Sequence, residues 1–591
     1  MEALPVETGA ETPSLDEDPA LGLSQRQKFE ILGAVLLGLF LVALDQTIVG
    51  TALPRIVTDL GGNDLYTWVV TIYLLTSTIT VPFYGKLSDL YGRRPMLMIG
   101  ISLFLLGSVL SGLSQDMSQL ILFRGIQGLG AGALFPIALA VIGDLFTPAE
   151  RGRYQGLFGA VFGISFLIGP GLGGFLTDNV SWHWIFFVNI PIGIVSLAVI
   201  WRLLPTIKRS GASRHLDYLG ALVFTIGIGF LLVGLTNKSG FHPVGTQLVP
   251  NDWTEATVGG FIALGLLLSA LFVFVESRAK EPIVPLDLWR NRTYVSSILS
   301  TFLVSFGFFG AIIFLPRWFQ VVRGESATSS GYLIFPMLIG LIGSSIVAGW
   351  LVSRTGRYKA IVLAGLIAMT TGITLMTQLR ADTAYPALFA WMFVAGLGIG
   401  PTLSVFTIIV QNAVPFAKLG VATSNLTFFR QIGGSVGLAI AGTWFGQALT
   451  EQLPVQLEPV KASLVASLPE QARPAVEAGF QQLAGGNVNL NDLTGVGQSF
   501  GTVITSQAPE QFRAFLQPFI PQFDQAFNNA MSLAIAETFW IGVAATAFAF
   551  IAATFMHELP LRRTMGAAAP APEGDGSAAH AERHPPLPAA D

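Results

Sequence analysis

Fourteen apolar windows of about twenty residues follow one another along this chain. They lie near 30–53, 66–88, 95–114, 118–142, 154–178, 182–204, 217–236, 257–277, 295–318, 328–353, 359–379, 384–412, 420–447 and 529–556. A helix of that length crosses the ~30 Å of a bilayer's hydrocarbon. In lipid every backbone N–H and C=O must find its partner within the spanning structure, which for runs this long means a helix. The expected fold class is therefore an all-α polytopic membrane protein with 14 spans. Composition excludes much else. Charged residues make up 12% of the chain, about half the ~25% of a soluble domain. A net charge of −4, spread along the sequence, points to no nucleic acid partner. The chain has no cysteine, which removes disulfides, thiol nucleophiles and thiolate metal sites together. Its histidines are His183, His215, His242, His557, His580 and His584. Only the last two have helical ligand spacing, and they sit in a Pro/Ala-rich tail that reads as disordered, so no metal site is expected.

Positive charge orients the spans, because Lys and Arg collect on the cytoplasmic side. One set of loops carries Lys86/Arg93/Arg94, Arg151/Arg153, Lys208/Arg209/Arg214, Arg278/Lys280/Arg290/Arg292, Arg354/Arg357/Lys359 and Lys418. The alternate short loops carry only Arg55, Lys238, Arg317, Arg323 and Arg380. Both termini are thus expected in the cytoplasm. Residues 1–29 read as a polar cytoplasmic start without the apolar core of a cleaved signal, so the first span would act as the insertion signal. Residues 557–591 read as a disordered cytoplasmic tail. One long outer loop, 448–528, contains amphipathic stretches at Pro459–Leu468 and Pro474–Leu483. Gln511–Phe527 places Phe512, Phe515, Leu516, Phe519 and Phe523 at helical spacing and is expected to run into the last span. A solvated insertion, an outer cap and a collar at the membrane surface all fit that loop.

The tight loop Gly85-Lys86-Leu87-Ser88-Asp89-Leu90-Tyr91-Gly92-Arg93-Arg94-Pro95 joins the second and third windows. A positive-inside turn would need its arginines, but not Asp89 or the spaced glycines. An echo, Gly349-Trp350-Leu351-Val352-Ser353-Arg354-Thr355-Gly356-Arg357, puts Ser353 where Asp89 stands. Gly128-Leu129-Gly130-Ala131-Gly132 is echoed in the same way by Gly396-Leu397-Gly398-Ile399-Gly400. The first loop resembles the signature between the second and third helices of the major facilitator superfamily. The resemblance implies two related six-helix bundles, 30–204 and 295–447 with 529–556, around a substrate cleft near the midplane. It makes Gly85, Asp89, Gly92, Arg93 and Arg94 a cytoplasmic gate. The pair 217–277 has no repeat partner, as in the fourteen-helix drug:proton antiporter branch of the EmrB/QacA type, which inserts two helices there. Leu44-Asp45-Gln46-Thr47-Ile48-Val49-Gly50-Thr51-Ala52-Leu53-Pro54 is close to that branch's LDxTIVNVALP, with Gly50 in place of Asn. The run from Gly163 to Gly174, with Gly169, Pro170 and Gly173, resembles the superfamily's antiporter motif. The closing Glu558-Leu559-Pro560-Leu561-Arg562-Arg563 matches the branch's usual end.

Four ionisable residues fall well inside the windows: Asp45, Arg124, Arg430 and Glu537. A charge at mid-span costs at least ~2.5 kcal/mol, so each needs a partner or a wet cavity. At ~1.5 Å per residue, Asp45 and Arg124 lie at similar depth in the outer half, and Arg430 lies near the midplane. Asp45 can meet Arg124 or reach Arg430 across the cleft. As a proton site it would stay ionised beside a guanidinium and become neutral in an apolar setting; as a static ion pair it would only fix helix packing. Arg124 resembles the superfamily's fourth-helix arginine, implicated in proton transfer. Arg430 is read as a coupling or gating residue, and Glu537 as a second proton site, a cation-binding acid or a carboxylate reaching outward. Trp68, Tyr73, Phe158, Phe162, Phe302, Phe306, Phe309, Tyr332, Gln411, Asn425 and Phe429 are candidates for an aromatic and amide cavity lining. The glycine runs lack a following Lys-Ser/Thr and cradle no phosphate. The expectation is a monomeric exporter in the cell's inner (cytoplasmic) membrane, driven by inward proton flow with no cofactor beyond protons. Its cargo would be a lipophilic or cationic small molecule, or a lipid-like envelope component. An enzyme would need a nucleophile–base or metal constellation in the spans; a transporter-derived sensor would need a cytoplasmic domain.

Overall fold

The computed structural model describes residues 23–561, apart from 61–64, 206–216, 239–240, 245–246, 280–281, 416–417, 468–500, 502–512 and 514. The acidic start, most of the long outer loop (Pro474–Leu483 included) and the tail from 562 lie outside the described residues.

Six spans form the first half: α1 (Gln25–Leu60), α2 (Tyr66–Tyr91), α3 (Arg93–Gly112), α4 (Met117–Leu145), α5 (Pro148–Asn179), and α6 (Trp184–Phe187) joined to α7 (Asn189–Leu203). The inserted pair is α8 (Tyr218–Lys238) and α9 (Phe261–Glu276). The second half comprises α10 (Arg292–Arg323), α11 (Ala327–Leu333) with α12 (Phe335–Thr355), α13 (Lys359–Met376), α14 (Tyr385–Ala413), α15 (Leu419–Ser467) and α16 (Ile520–Thr554). Among the described residues, thirteen helical segments are long and apolar enough to cross a membrane. The fourteenth is α15, diluted by glycine and polar residues yet packed against α10, α16 and α2. Side-chain caps mark several starts. Asp116 accepts from Gln119 N–H at 2.8 Å, Thr147 and Glu150 form a capping box on α5, and Asn291 accepts from Thr293 and Tyr294 N–H.

The end of the bundle rich in Lys and Arg is termed inner, and the opposite end outer. The two halves meet along two seams. On one, α2 packs against α15, and α8 leans on both, with Phe224 5.7 Å from Phe83 and 5.2 Å from Phe428 between ring centroids. On the other, α5 packs against α12. Two features depart from the expected architecture. A small antiparallel hairpin, β1 (Phe241–Val244) with β2 (Gln247–Pro250), joins α8 to α9, pairing Phe241 with Pro250. The stretch 448–467, expected to lie in an outer loop with amphipathic helices, continues the thirteenth span as one unbroken helix. At ~1.5 Å per residue α15 is far longer than the bilayer requires, and its outward extension is no solvated coil. Leu449, Leu453, Leu457, Val460 and Leu464 are buried in one cluster with Leu516, Phe523 and Phe527 of the segment leading into and along α16. Apolar residues at intervals of three and four form the stripe that makes such pairing favourable.

Candidate functional site

Asp45 lies in the outer half of α1 and is completely buried (0% exposed), as is Arg124 of α4 (1%). Arg124 Nη1 stands 2.6 Å from Asp45 Oδ2. Gln127, one turn along α4, donates to Asp45 Oδ1 at 2.8 Å and accepts from Arg124 Nη1 at 2.8 Å. Asn189, at the start of α7, adds a second donor to Oδ1 at 3.2 Å and also donates to Ser108 Oγ. Tyr73 of α2 places its ring 4.1 Å beneath the guanidinium carbon. A buried carboxylate is tolerated only when paired and hydrogen-bonded, and this one has three donors from two other helices. The cluster belongs wholly to the first half. Asp45 meets Arg124 and not Arg430, and Tyr73 is a wall of this cluster, not of a central cavity.

At the inner end a second cluster joins the halves. Arg93 (1% exposed) pairs with Asp89 at 2.7 Å and with Asp144 of α4 at 2.7 Å, and donates to Ser88 Oγ at 2.6 Å. Asp89 Oδ2 accepts the backbone N–H of Val421, in the first turn of α15, at 3.0 Å. Three further contacts close the same end. Gln411 of α14 donates to Leu139 O of α4 at 3.1 Å. A Cβ on Gly85 would collide with Ser424, and one on Gly143 would lie 2.7 Å from Leu419. Gly92 takes φ 101°, a conformation that requires glycine. Arg94 is half-buried.

The antiporter-like stretch of α5 is small on two faces. A Cβ on Gly169 or Gly173 would strike Thr47 or Thr51 of α1, one on Gly163 would strike Ile342 of α12, and one on Gly174 would lie 3.3 Å from Thr328. Pro170 sits against Gly331. One helix is thereby pressed at once against its own half and the other.

Arg430 contrasts with both arginine clusters. It is 9% exposed, its Nη2 reaches Leu403 O only at 3.5 Å, and its Nε has no partner. Glu537 is half-buried and accepts from Gln452 at 3.1 Å, on the outward extension of α15. The eleven cavity candidates do not surround one chamber. The rings of Phe306 and Phe309 cover Gly437 and Gly434 of α15, and the backbone of Phe302 lies against Gly433, which is helix packing. Asn425 donates to Tyr294 OH at 3.1 Å, Phe429 stacks edge-on with Trp289, Tyr332 lies over Gly171, and Gln411 is in the inner closure. Trp68 is half-buried at the outer end of α2. Only Phe158 and Phe162 stand where the halves face each other near Arg430, both against Phe135.

Gln127, Asn189 and Asp144 escaped the sequence reading. So did Asp217 and Glu276, at the inner ends of α8 and α9. A Cβ on Gly220 would run into Asp217 Oδ2 and lie 3.0 Å from Glu276 Oε2, while Val284 N–H donates to Glu276 Oε1 at 2.6 Å. Their only sequence signal was an acid at a span boundary.

Comparison with known proteins adds to this geometry. The family described as Major Facilitator Superfamily matches residues 35–438. "Multidrug transporter protein MdtP" of Bacillus subtilis (strain 168) is 37% identical over 500 residues, covering 84% of this chain and 88% of the relative. "Multidrug resistance protein 3" of the same organism is 37% identical over 437 residues, 74% of this chain and 83% of its own. A bacterial homolog of the human lysosomal transporter Spinster, solved inward-facing and unoccupied, aligns with TM-score 0.50 and 16% identity over 90% of this chain and 98% of that one. That last likeness is one of fold.

Proposed function

This chain belongs to the major facilitator superfamily, whose members are multi-pass membrane transporters and not enzymes, and from that premise we propose that it exports lipophilic small molecules by proton antiport. The names of its relatives support efflux of varied small molecules. The observation that carries proton coupling is the Asp45–Arg124–Gln127–Asn189 cluster. Three donors, one of them charged, converge on this buried carboxyl. If helix movement draws Arg124 away, the carboxyl keeps only neutral donors, and a proton is the partner that can take the place of the guanidinium. Loading a proton on one side and releasing it on the other then needs only a change in that pairing as the bundles rock. Asp89 supplies the timing. Its bond to Val421 N–H exists only while the inner ends are together, so it favours the state whose cleft opens outward. The protein would act as a monomer in the cell's cytoplasmic membrane, with protons as its coupling ion and no other cofactor.

The test is efflux of a panel of lipophilic dyes in everted membrane vesicles, before and after collapse of ΔpH. Asp45→Asn keeps the shape of the side chain but leaves the buried Arg124 without its carboxylate. It should therefore be less stable than wild type, by up to about 3–5 kcal/mol, and the protein that is recovered should lose uphill transport while downhill exchange persists. Undiminished proton-driven efflux by Asp45→Asn at wild-type expression would sink the assignment.

A further inference from the structure

The charges that face the centre of the molecule are unevenly served. Arg93 and Arg124 each have a buried carboxylate within 2.7 Å. Arg430 has none among the described residues. Its polar contacts are one carbonyl, Leu403 O, at 3.5 Å and nothing at Nε. Its guanidinium carbon lies 5.7 Å from the ring of Phe135, which belongs to the opposite half. Phe135 in turn is packed by Phe158 at 6.0 Å and Phe162 at 5.8 Å.

Depth places this group. Counted from their inner ends, Arg430 on α15, Phe135 on α4, Leu403 on α14 and Phe158 on α5 are each about ten residues in, or ~15 Å. Leu139, one turn inward of Phe135 on α4, receives the hydrogen bond from Gln411 that joins the halves. Arg430 and the three phenylalanines therefore sit directly outward of the inner closure, on the floor of whatever cleft opens to the outside. A guanidinium withdrawn from water without an anion is costly. Nothing on its own half repays that cost. Guanidinium matches carboxylate and phosphate with paired N–H donors, and aromatic rings accept an apolar body.

We infer that Arg430 with Phe135, Phe158 and Phe162 is the cargo site for an amphipathic organic anion, its carboxylate or phosphate on Arg430 and its apolar body against the rings. The inference rests on the export reading and narrows it: the cargo head is negative or zwitterionic, not cationic. Anion binding also gives a reason for a lone arginine at a depth where a structural ion pair would have been the stable alternative.

The experiment is equilibrium binding to the purified full-length protein in a neutral detergent, read by the fluorescence of 11-(dansylamino)undecanoate. Its methyl ester, the corresponding alkyl phosphate and the corresponding alkyl amine serve as matched probes. The carboxylate or the phosphate should bind at least about tenfold tighter than the ester, the equivalent of one charge-assisted hydrogen bond. Whichever of the two binds tighter identifies the head group. Arg430→Gln should bring carboxylate and phosphate binding down to the level of the ester, while Arg430→Lys should keep a reduced preference, since it retains the charge and loses the fork. Equal affinity of the wild type for acid and ester, tightest binding of the amine, or an undiminished preference in Arg430→Gln would overturn the inference. The first two readouts need no variant, so a misfolded variant cannot shelter the proposal. No proton gradient is involved. Export that fails in vesicles while anion preference survives would remove the coupling mechanism alone.

Discussion

The loop from Gly85 to Pro95 and its echo from Gly349 to Arg357 turn on a glycine at the same place in the repeat and differ in what they hold. Each closes a span with a glycine at positive φ, Gly92 at 101° and Gly356 at 70°, whose N–H returns to the carbonyl four residues earlier. Each follows that glycine with an arginine. There the likeness ends. In the first loop Asp89 reaches Val421 of the other half, and Arg93 is buried between Asp89 and Asp144. In the second, Ser353 bonds only to Gly349 O of its own helix, and Arg357 is exposed. The start of α13 is instead held from within its own half. Glu558 accepts from Tyr358 N–H at 2.9 Å and Lys359 N–H at 3.3 Å, and Lys359 Nζ donates to Thr554 O and Met556 O. An internal repeat keeps what the turn requires and diverges where a side chain acts across the seam. One loop is a latch between halves and the other a brace within one.

The sharpest way to break that contrast is to remove the matched arginines. Arg93→Gln leaves Asp89 and Asp144 facing each other out of water. Loss of one partner from a buried pair costs about 3–5 kcal/mol, so most of the variant should be lost before purification or should melt well below the wild type. Arg357→Gln, on an exposed side chain, should stay within about 0.5 kcal/mol. Thermal unfolding in detergent, followed by size-exclusion profile, compares them directly. Equal losses would mean that the two loops are equivalent and the latch is no latch.

A smaller effect is expected from Asp89→Asn, which keeps the shape and removes the charge. Charge-assisted hydrogen bonds contribute about 1.5–3 kcal/mol, enough to move a two-state equilibrium tenfold or more. Distances between spin labels on the inner ends of the two halves should lengthen in population, with turnover slowed and cargo binding intact. Ser353→Asp should leave the distribution unchanged, because that residue bonds only within its own helix. An unmoved distribution in Asp89→Asn together with lost cargo binding would assign Asp89 to the binding site or the fold.

Much of this was legible in the chain. Unbroken apolar windows have one solution in lipid, so the spans could be read directly, and residue depth alone brought Asp45 level with Arg124. What escaped has physical reasons. Gln127 and Asn189 are neutral amides, which no charge scan singles out, and Asn189 approaches Asp45 only through the packing of α7. Asp144 lies in the last turn of α4, where an acid reads as a loop residue until Arg93 is found against it. Aromatic composition could not say which face of α10 carries Phe306 and Phe309, nor that glycines of α15 would receive them. The thirteenth apolar window ends near 447, yet α15 runs on through Pro454 and Pro459 to Ser467. The apolar stripe shared with α16 offsets the hydrogen bonds that each proline removes.

The smallest expected effect tests the brace. Tyr358 is buried between the loop and the closing segment, where its hydroxyl donates to His557 O at 3.2 Å and accepts the N–H of Leu559. Burial, the largest cause, pushes its pKa up from 10.0 to about 12, with Glu558 adding to the rise and the Leu559 N–H opposing it. A phenol whose folded pKa is raised contributes stability that is complete below pH 10. That contribution is lost as pH climbs toward 12, by at most about 1.4 kcal/mol per unit. Tyr358→Phe lacks the titrating group. It should be less stable than wild type by about 1 kcal/mol at neutral pH, from the two lost hydrogen bonds, and the gap should close between pH 10 and 12. The comparison is unfolding midpoint against pH for the two proteins in the same detergent. Parallel curves across that window would show that the hydroxyl is solvated and that the closing segment does not brace the second loop.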